Sequence, residues 1–372
     1  MNLKIAVLSG DGIGPEVILQ AKKVLHAIGT VYEHEIVFED AFIGAVAIDK
    51  TGSALPEQTL NLCRNTDAVL FGAIGDPKYD NNPDAKVRPE QGLLRLRKEL
   101  GLFANIRPIK PYTALLDSSP LKKEIIEGTD FLIFRELTGG SYFGKSKLND
   151  SGTVASDLCE YSEEEISRIA HLAFKAAQKR RSKVTLIDKS TVLETSRLWR
   201  RVVKTVSENY SEVALDFMYV DNAAMQIILN PRQFDVILTE SLFGDILSDE
   251  ASVITGSIGL LASASLGATN ALFEPIHGYN PQAKGKNTAN PIASILSAAM
   301  LLEHFGLHEE AKKIYEGVEI AIGYGVLTTD LNADSKFGTN EIGEFISNFI
   351  FNKDDLLYFN NDNVQIGQST IV

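Results

Sequence analysis

The sequence predicts an α/β protein built on a largely parallel sheet, and three observations carry that reading. Short β-rich runs alternate with amphipathic helical stretches along most of the chain. Its 372 residues correspond to about two domains at roughly 150 residues each. Hydrophobic residues make up 44% and charged residues 23%, ordinary globular usage that excludes a disordered or fibrous chain.

In chain order, Lys4 to Leu8 reads as a buried strand. It runs into the turn GDGIGPE, an amphipathic helix from about Val17 to Ile28, and a second strand from Glu35 to Phe38. Pro15 suits a first helical position. DAVLF (Asp67 to Phe71) is a strand leading into GAIGDPKYD, and Gly92 to Leu100 is helical. From about Asp130, DFLIF, KVTLID, ALDFMYV and FDVILTE read as strands, with helices at Glu163 to Lys179 and Thr195 to Asn209. Gly139 to Glu160 is polar, rich in Gly and Ser and without helical period, so it is expected to leave the main body as a hairpin arm. A last helix, Glu341 to Phe351, precedes an Asp- and Asn-rich tail expected to fray.

Charge and cysteine usage narrow the function classes. Lysine and arginine number 36 against 49 aspartates and glutamates, a net charge of −13. Such a chain repels phosphate backbones and anionic lipid, which argues against nucleic acid and membrane partners. The apolar run from Ile292 to Leu302 is too short for the ~20 residues of a membrane span. Two cysteines, Cys63 and Cys159, make no disulfide framework and fit a reducing, cytoplasmic setting.

Several residues stand out chemically. In GDGIG a dinucleotide fingerprint starting at Gly10 would need glycine where Pro15 stands, so a tight strand-to-helix turn is the simpler reading. The loop EPIHGYNPQAKGKNTANP (Glu274 to Pro291) is long enough to be a binding element, with His277 able to stack on a base and Asn290 able to read one; a plain surface loop is the alternative. Asp245 and Asp249 are four apart, which puts them on one helical face with Cβ atoms roughly 5–6 Å apart. A cation between them, or the positive end of a helix, would account for the pair. Asp221 ends a strand and opens a helix, where it could cap or serve as a third oxygen ligand for Mg²⁺ or Mn²⁺. Arg97, Arg107 and Arg135 offer guanidinium forks for an anionic substrate. Lys189 follows a buried strand, a position from which lysine can move protons, and Tyr142 is a Gly-flanked aromatic outside any core pattern; either could equally be a strand-end anchor.

Taken in order, GDGIGPE, LRKELGLFANIRP, FRELTGGSYFG, IDKSTVLETSRLWR, YVDNAAMQ, LFGDILSDEAS, EPIHG and GKNTANP resemble the β-decarboxylating dehydrogenases, the isocitrate/isopropylmalate dehydrogenase family. The resemblance implies two open α/β domains of that family's type, distinct from a Rossmann fold, with the active-site cleft between them. Residues 1–102 and 256–372 would form a discontinuous cofactor-binding domain. Residues 103–255 would form the dimerisation and metal/substrate domain, with an arm around 139–160.

Within the group, GLLRLRKEL points to the branch acting on 3-isopropylmalate in leucine biosynthesis, because Leu93 and Leu94 occupy the positions that meet the substrate's side chain. Burying an isopropyl group there is worth about 2 kcal/mol. D-Malate, tartrate and isocitrate are the alternative substrates. By resemblance, Arg97, Arg107 and Arg135 bind the malate carboxylates, and Asp221, Asp245 and Asp249 hold one Mg²⁺ or Mn²⁺ that also engages the substrate. Tyr142, Lys189 and Asp221 carry the catalysis, and a homodimer shares its active sites, Lys189 and Asp221 coming from the partner. Ile13, Asp76, Glu90, Glu274, His277, Gly278, Gln282 and Asn290 are implied to bind NAD, with His277 against the adenine. Many NAD-using relatives carry aspartate where this chain has Gln282. Lys284 and Lys286 stand nearby, so NADP is the alternative, although the lysine and tyrosine typical of NADP-using isocitrate enzymes are missing.

Overall fold

A computed structural model describes residues 1–82 and 85–352 of the chain. The tail expected to fray lies outside the described residues. The strands are β1 (Asn2–Gly10), β2 (Glu35–Asp40), β3 (Ala68–Ala73), β4 (Ala104–Ile109), β5 (Phe131–Glu136) and β6 (Ser146–Leu148). They continue as β7 (Ala155–Asp157), β8 (Lys183–Asp188), β9 (Ala214–Tyr219), β10 (Val236–Thr239), β11 (Ala262–Leu266) and β12 (Ala271–Pro275). The helices begin with α1 (Gly14–Val31), α2 (Ala45–Thr51), α3 (Glu57–Arg64), α4 (Pro77–Asp80), α5 (Pro89–Glu99), α6 (Lys123–Ile126) and α7 (Glu163–Gln178). They end with α8 (Glu194–Ser207), α9 (Val220–Leu229), α10 (Ser241–Thr255), α11 (Ile292–His304), α12 (His308–Gly323) and α13 (Thr339–Ile350).

One ten-stranded sheet runs through the molecule in the order β2-β1-β3-β12-β11-β4-β5-β10-β8-β9. Its pairs are parallel except around the centre, where β4 runs antiparallel to both β5 and β11, and β11 antiparallel to β12. The inner strands β3 and β10 are buried at every position, as expected of parallel strands covered on both faces by helices. Strands from 1–102 and 256–372 occupy one end of the sheet and those from 103–255 the other. The segment expected as an arm carries β6 and β7, a separate antiparallel pair with Ser146 opposite Asp157.

Local chemistry explains the element ends. α7 starts on a reciprocal cap, in which the Ser162 hydroxyl accepts from the Glu165 N–H at 3.2 Å while the Glu165 carboxylate accepts from the Ser162 N–H at 2.7 Å. The apolar run around Ile292 to Leu302 is a core helix, α11, buried almost all round. Among the described residues no helix is long and apolar enough to cross a membrane. β8 coincides with the reading from sequence, whereas β11 (ASASL) and β12 were missed. Ala and Ser carry little intrinsic strand preference, and β11 is held by its pairing with β4 and β12.

Candidate active site

The site grows from the central antiparallel strands. Asn105 on β4 stands opposite Arg135 on β5 and Ser265 on β11, and Arg107 lies two residues on, hence on the same face. α10 follows β10 and lies close over that face. A Cβ on its Gly244 would come within 2.7 Å of Arg135 Cγ, so a side chain at this position would force the helix outward. α5 adds Arg97 together with Leu93 and Leu94, which lie four and three residues before it on one helical face.

These elements enclose a cleft of about 400 Å³. Leu93 and Leu94 give it apolar lining, and Arg97, Arg107 and Arg135 basic lining; Tyr142, Asp245, Glu90, Glu274, His277 and Gly278 also border it. Arg135 pairs with Asp245, and Tyr142 donates its hydroxyl proton to the other oxygen of Asp245 at 2.9 Å. Arg107 reaches Asp245 and Asp249 at 3.7 Å each. Arg97 donates to Glu274 at 2.8 Å. Nε of Arg97, Nε of Arg135 and Nε2 of His277 are buried without a protein partner. Two of these are cationic donors, a donor set suited to an anionic ligand.

Burial decides the protonation behaviour. It pushes Arg107 down to about 10, with neighbouring Arg135 adding to the effect and Asp245 and Asp249 opposing it. Burial raises Asp249, against the pull of Arg107. It also raises Tyr142, aided by Asp245, so the phenol keeps its proton at neutral pH. His277 is lowered by burial and is neutral.

Asp245 and Asp249 are not in the first turn of α10, so a helix-end explanation of the pair does not hold. Nor does Asp221 cap α9, which begins at Val220. Its exposed carboxylate instead binds Lys189 Nζ at 2.7 Å. That pair borders a second, largely apolar hollow formed with Val192, Leu193, Phe243 and Ile246. Within one chain, therefore, Asp221 is not brought beside Asp245 and Asp249. Among the described residues no group of three or more His, Cys, Asp or Glu side chains is placed to hold a metal ion. The two α10 carboxylates offer hard oxygen donors on one helical face, which suits a divalent cation completed by ligands from elsewhere.

The segments after β1 and β3, which carry Ile13 and Asp76, meet the 276–290 loop. Gly12 has φ +56, and a Cβ there would sit 1.9 Å from the Tyr279 carbonyl oxygen. Beside it the Ile13 N–H donates to that same oxygen at 2.9 Å. The Ile13 side chain packs on Val17, Ala289 and Ala283. Asp76 caps α4 by accepting from the Lys78 N–H at 2.9 Å, and the Tyr279 hydroxyl crosses to Asp80 at 2.5 Å. Asn290 has its amide oriented on both sides, donating to Asp330 at 3.1 Å and accepting from the Ile292 N–H at 3.0 Å. Gln282 is exposed. The sequence reading overlooked Asn105, Ser248, Ser263, Ser265 and Tyr279. The alternation Asn105/Arg107 and Ser263/Ser265 was the available signal for a polar sheet face.

Known proteins resemble the chain over nearly its whole length. A sequence profile described as isocitrate/isopropylmalate dehydrogenase matches residues 4–346. The chain is 52% identical over 352 residues to the 3-isopropylmalate dehydrogenase of Bacteroides fragilis (strain YCH46), covering 94% of this chain and 99% of that one. It is 50% identical over 349 residues to the 3-isopropylmalate dehydrogenase of Aquifex aeolicus, covering 92% and 96%. Among solved structures, the isocitrate dehydrogenase from Methylococcus capsulatus superposes with a TM-score of 0.86 at 32% identity, covering 94% of this chain and 99% of that chain.

Proposed function

Because the chain belongs to the isocitrate/isopropylmalate dehydrogenase family, we propose that it is the dehydrogenase of leucine biosynthesis that oxidatively decarboxylates (2R,3S)-3-isopropylmalate to 4-methyl-2-oxopentanoate and CO₂, with NAD as oxidant. One observation carries the substrate choice: Leu93 and Leu94 line the same cleft as the three arginines. Arginine forks meet the two malate carboxylates, while an isopropyl group fits against leucine and a third carboxylate there would lose its hydration.

The chain's own groups divide the work. Arg97, Arg107 and Arg135 hold and orient the dianion. Lys189, assisted by Asp221, accepts the proton of the C2 hydroxyl as that carbon is oxidised. Tyr142, protonated at neutral pH, returns a proton to the carbon that loses CO₂. Asp245 and Asp249, with Asp221, would hold Mg²⁺ or Mn²⁺. When bound, the ion would withdraw charge from the C2 oxygen and NAD would take the hydride. Ile13, Asp76, Glu90, Glu274, His277, Gly278, Gln282 and Asn290 would receive the dinucleotide, His277 as a neutral ring against the base.

Lys189 and Asp221 line a hollow separate from the arginine cleft of their own chain, so the reading includes a homodimer in which each subunit supplies that pair to the other. The apolar hollow beside them and the exposed Leu148, Val154 and Leu158 around the arm hairpin support such a contact. The division into a cofactor domain (1–102 and 256–372) and a dimerising domain (103–255), and a cytoplasmic location, belong to the same proposal.

Steady-state assays with 3-isopropylmalate, D-malate and isocitrate, each with NAD or NADP and with Mg²⁺, Mn²⁺ or chelator, test it. The expected result is metal-dependent turnover favouring 3-isopropylmalate and NAD. A strong preference for D-malate would overturn the substrate, preference for NADP the cofactor, and a fully active monomer the shared site.

A further inference from the structure

Asn105 is wholly buried on β4, between Ser265 and Arg135 in the sheet register. Its amide orientation is dictated by its neighbours. Arg107 Nε can only donate, and it does so to Asn105 Oδ1 at 2.6 Å. Nδ2 therefore faces β11, donating to Ser265 Oγ at 3.0 Å and Ser263 Oγ at 3.2 Å. Each serine has a single proton to pass on. Ser265 gives its proton to Glu274 Oε1 at 3.3 Å, and Ser263 to the Glu274 main-chain oxygen at 3.0 Å. The same Glu274 oxygen accepts from Arg97 at 2.8 Å. The chain thus runs in one direction, from the Arg107 guanidinium through the Asn105 amide and the Ser265 hydroxyl to the carboxylate that holds Arg97, with a side branch through Ser263 to the Glu274 main chain. Because Arg107 also donates to Ser248, its planar fork is presented to the cleft in one orientation.

We propose that Asn105 is a positioning residue for anion recognition, setting the spacing of Arg107 and Arg97 through this relay; the proposal rests on the reading of the cleft as a malate-binding site. A carboxylate at 105 could still accept from Arg107 but could donate to neither serine. The one Ser265 proton would then be contested by two buried carboxylates that also repel each other. A methyl group at 105 would leave Arg107 Nε buried without an acceptor and the fork without its stop.

The test is calorimetric titration of the full-length protein with Mn²⁺ present. 3-Isopropylmalate and D-malate, which share the two carboxylates, are the ligands, and NAD titration reports on an intact fold. Asn105→Ala is expected to weaken both dianions by at least about 10-fold, the scale of a lost hydrogen bond to a charged group, with Asn105→Asp weaker still. In turnover the rise should sit mainly in KM rather than kcat. Ser265→Ala cuts only the limb towards Glu274 and should give a smaller loss, and the double variant Asn105→Ala/Ser265→Ala should bind no worse than Asn105→Ala alone.

Dianion affinities within 2-fold of the parent while NAD binds normally would overturn the proposal, as would fully additive losses in the double variant. If Asn105→Ala does not fold, Ser265→Ala decides, unchanged affinity there being fatal. A parent that binds D-malate but not 3-isopropylmalate refutes the substrate reading and leaves the Asn105 comparison intact on D-malate; binding of neither overturns both.

Discussion

Leu94 is where substrate selection can be measured most directly. Leu93 also packs against a core cluster that includes Phe71 and Leu96, so changing it would disturb the fold. Leu94 is half-buried and lines the cleft beside Arg97. Replacing Leu94 with alanine removes three carbons, worth about 2.4 kcal/mol at ~0.8 kcal/mol per fully buried methylene. The isopropyl group would share its contacts with Leu93, and Leu94 is itself part-exposed, so about 1–2 kcal/mol of transition-state binding should be lost. That corresponds to a drop of about 5- to 30-fold in kcat/KM for 3-isopropylmalate. D-Malate has no branched substituent to contact Leu94, so its kcat/KM should change by less than about 2-fold. The assay is the ratio of the two kcat/KM values in Leu94→Ala and the parent, at one metal concentration. Leu94→Asp should lower the ratio further, since a carboxylate would then face the alkyl group. Equal losses for both substrates would refute the placement of the alkyl pocket on α5.

Three other outcomes are expected. Lys189→Met should lower turnover by about 10²-fold or more, as for a lost general base, while NAD binding measured by titration stays unchanged; near-normal turnover would remove Lys189 from the mechanism. Glu240 is buried, its Oε2 has no protein partner, and burial with nearby Asp188 raises its carboxyl from 4.5 to about 7. The folded state thus binds more protons than the unfolded one between those values. Glu240 therefore contributes most stability below about pH 4.5, and that contribution is lost as pH rises through about 7. Urea midpoints of Glu240→Gln at fixed protein concentration should fall less than the parent's between pH 5 and 8, and parallel curves would refute this. Tyr279→Phe removes the hydroxyl that ties the 276–290 loop to Asp80, a contact worth about 1 kcal/mol. Amide hydrogen exchange in residues 76–82 should accelerate by about 5-fold, and no change would mean that the contact does not hold the 76–82 segment.

Much was readable from local pattern. KVTLID forms a strand because a run of that composition can be buried on both faces, and the reciprocal cap at Ser162 and Glu165 fixes where α7 starts. The four-residue spacing of Asp245 and Asp249 put both on one helical face without any knowledge of the fold. β11 escaped notice because ASASL has neither β-branched residues nor a large apolar face, and only its partners on either side hold it extended. Asn105 and Ser265 were overlooked for a related reason. Their chemistry is ordinary until β4 and β11 are paired in register and the two side chains meet.

By itself the sequence determined the α/β class, the family and the side-chain types at the cleft, because periodicity, turn residues and motif order are local properties written in consecutive positions. The tertiary structure alone decided that Arg97, Arg107 and Arg135 share one cleft with Leu93 and Leu94, that Glu274 anchors Arg97, and that Lys189 and Asp221 line a separate hollow of the same chain. Those relations join residues far apart in the chain. They arise from strand order and from the direction in which each helix leaves the sheet, neither of which any local stretch of residues encodes.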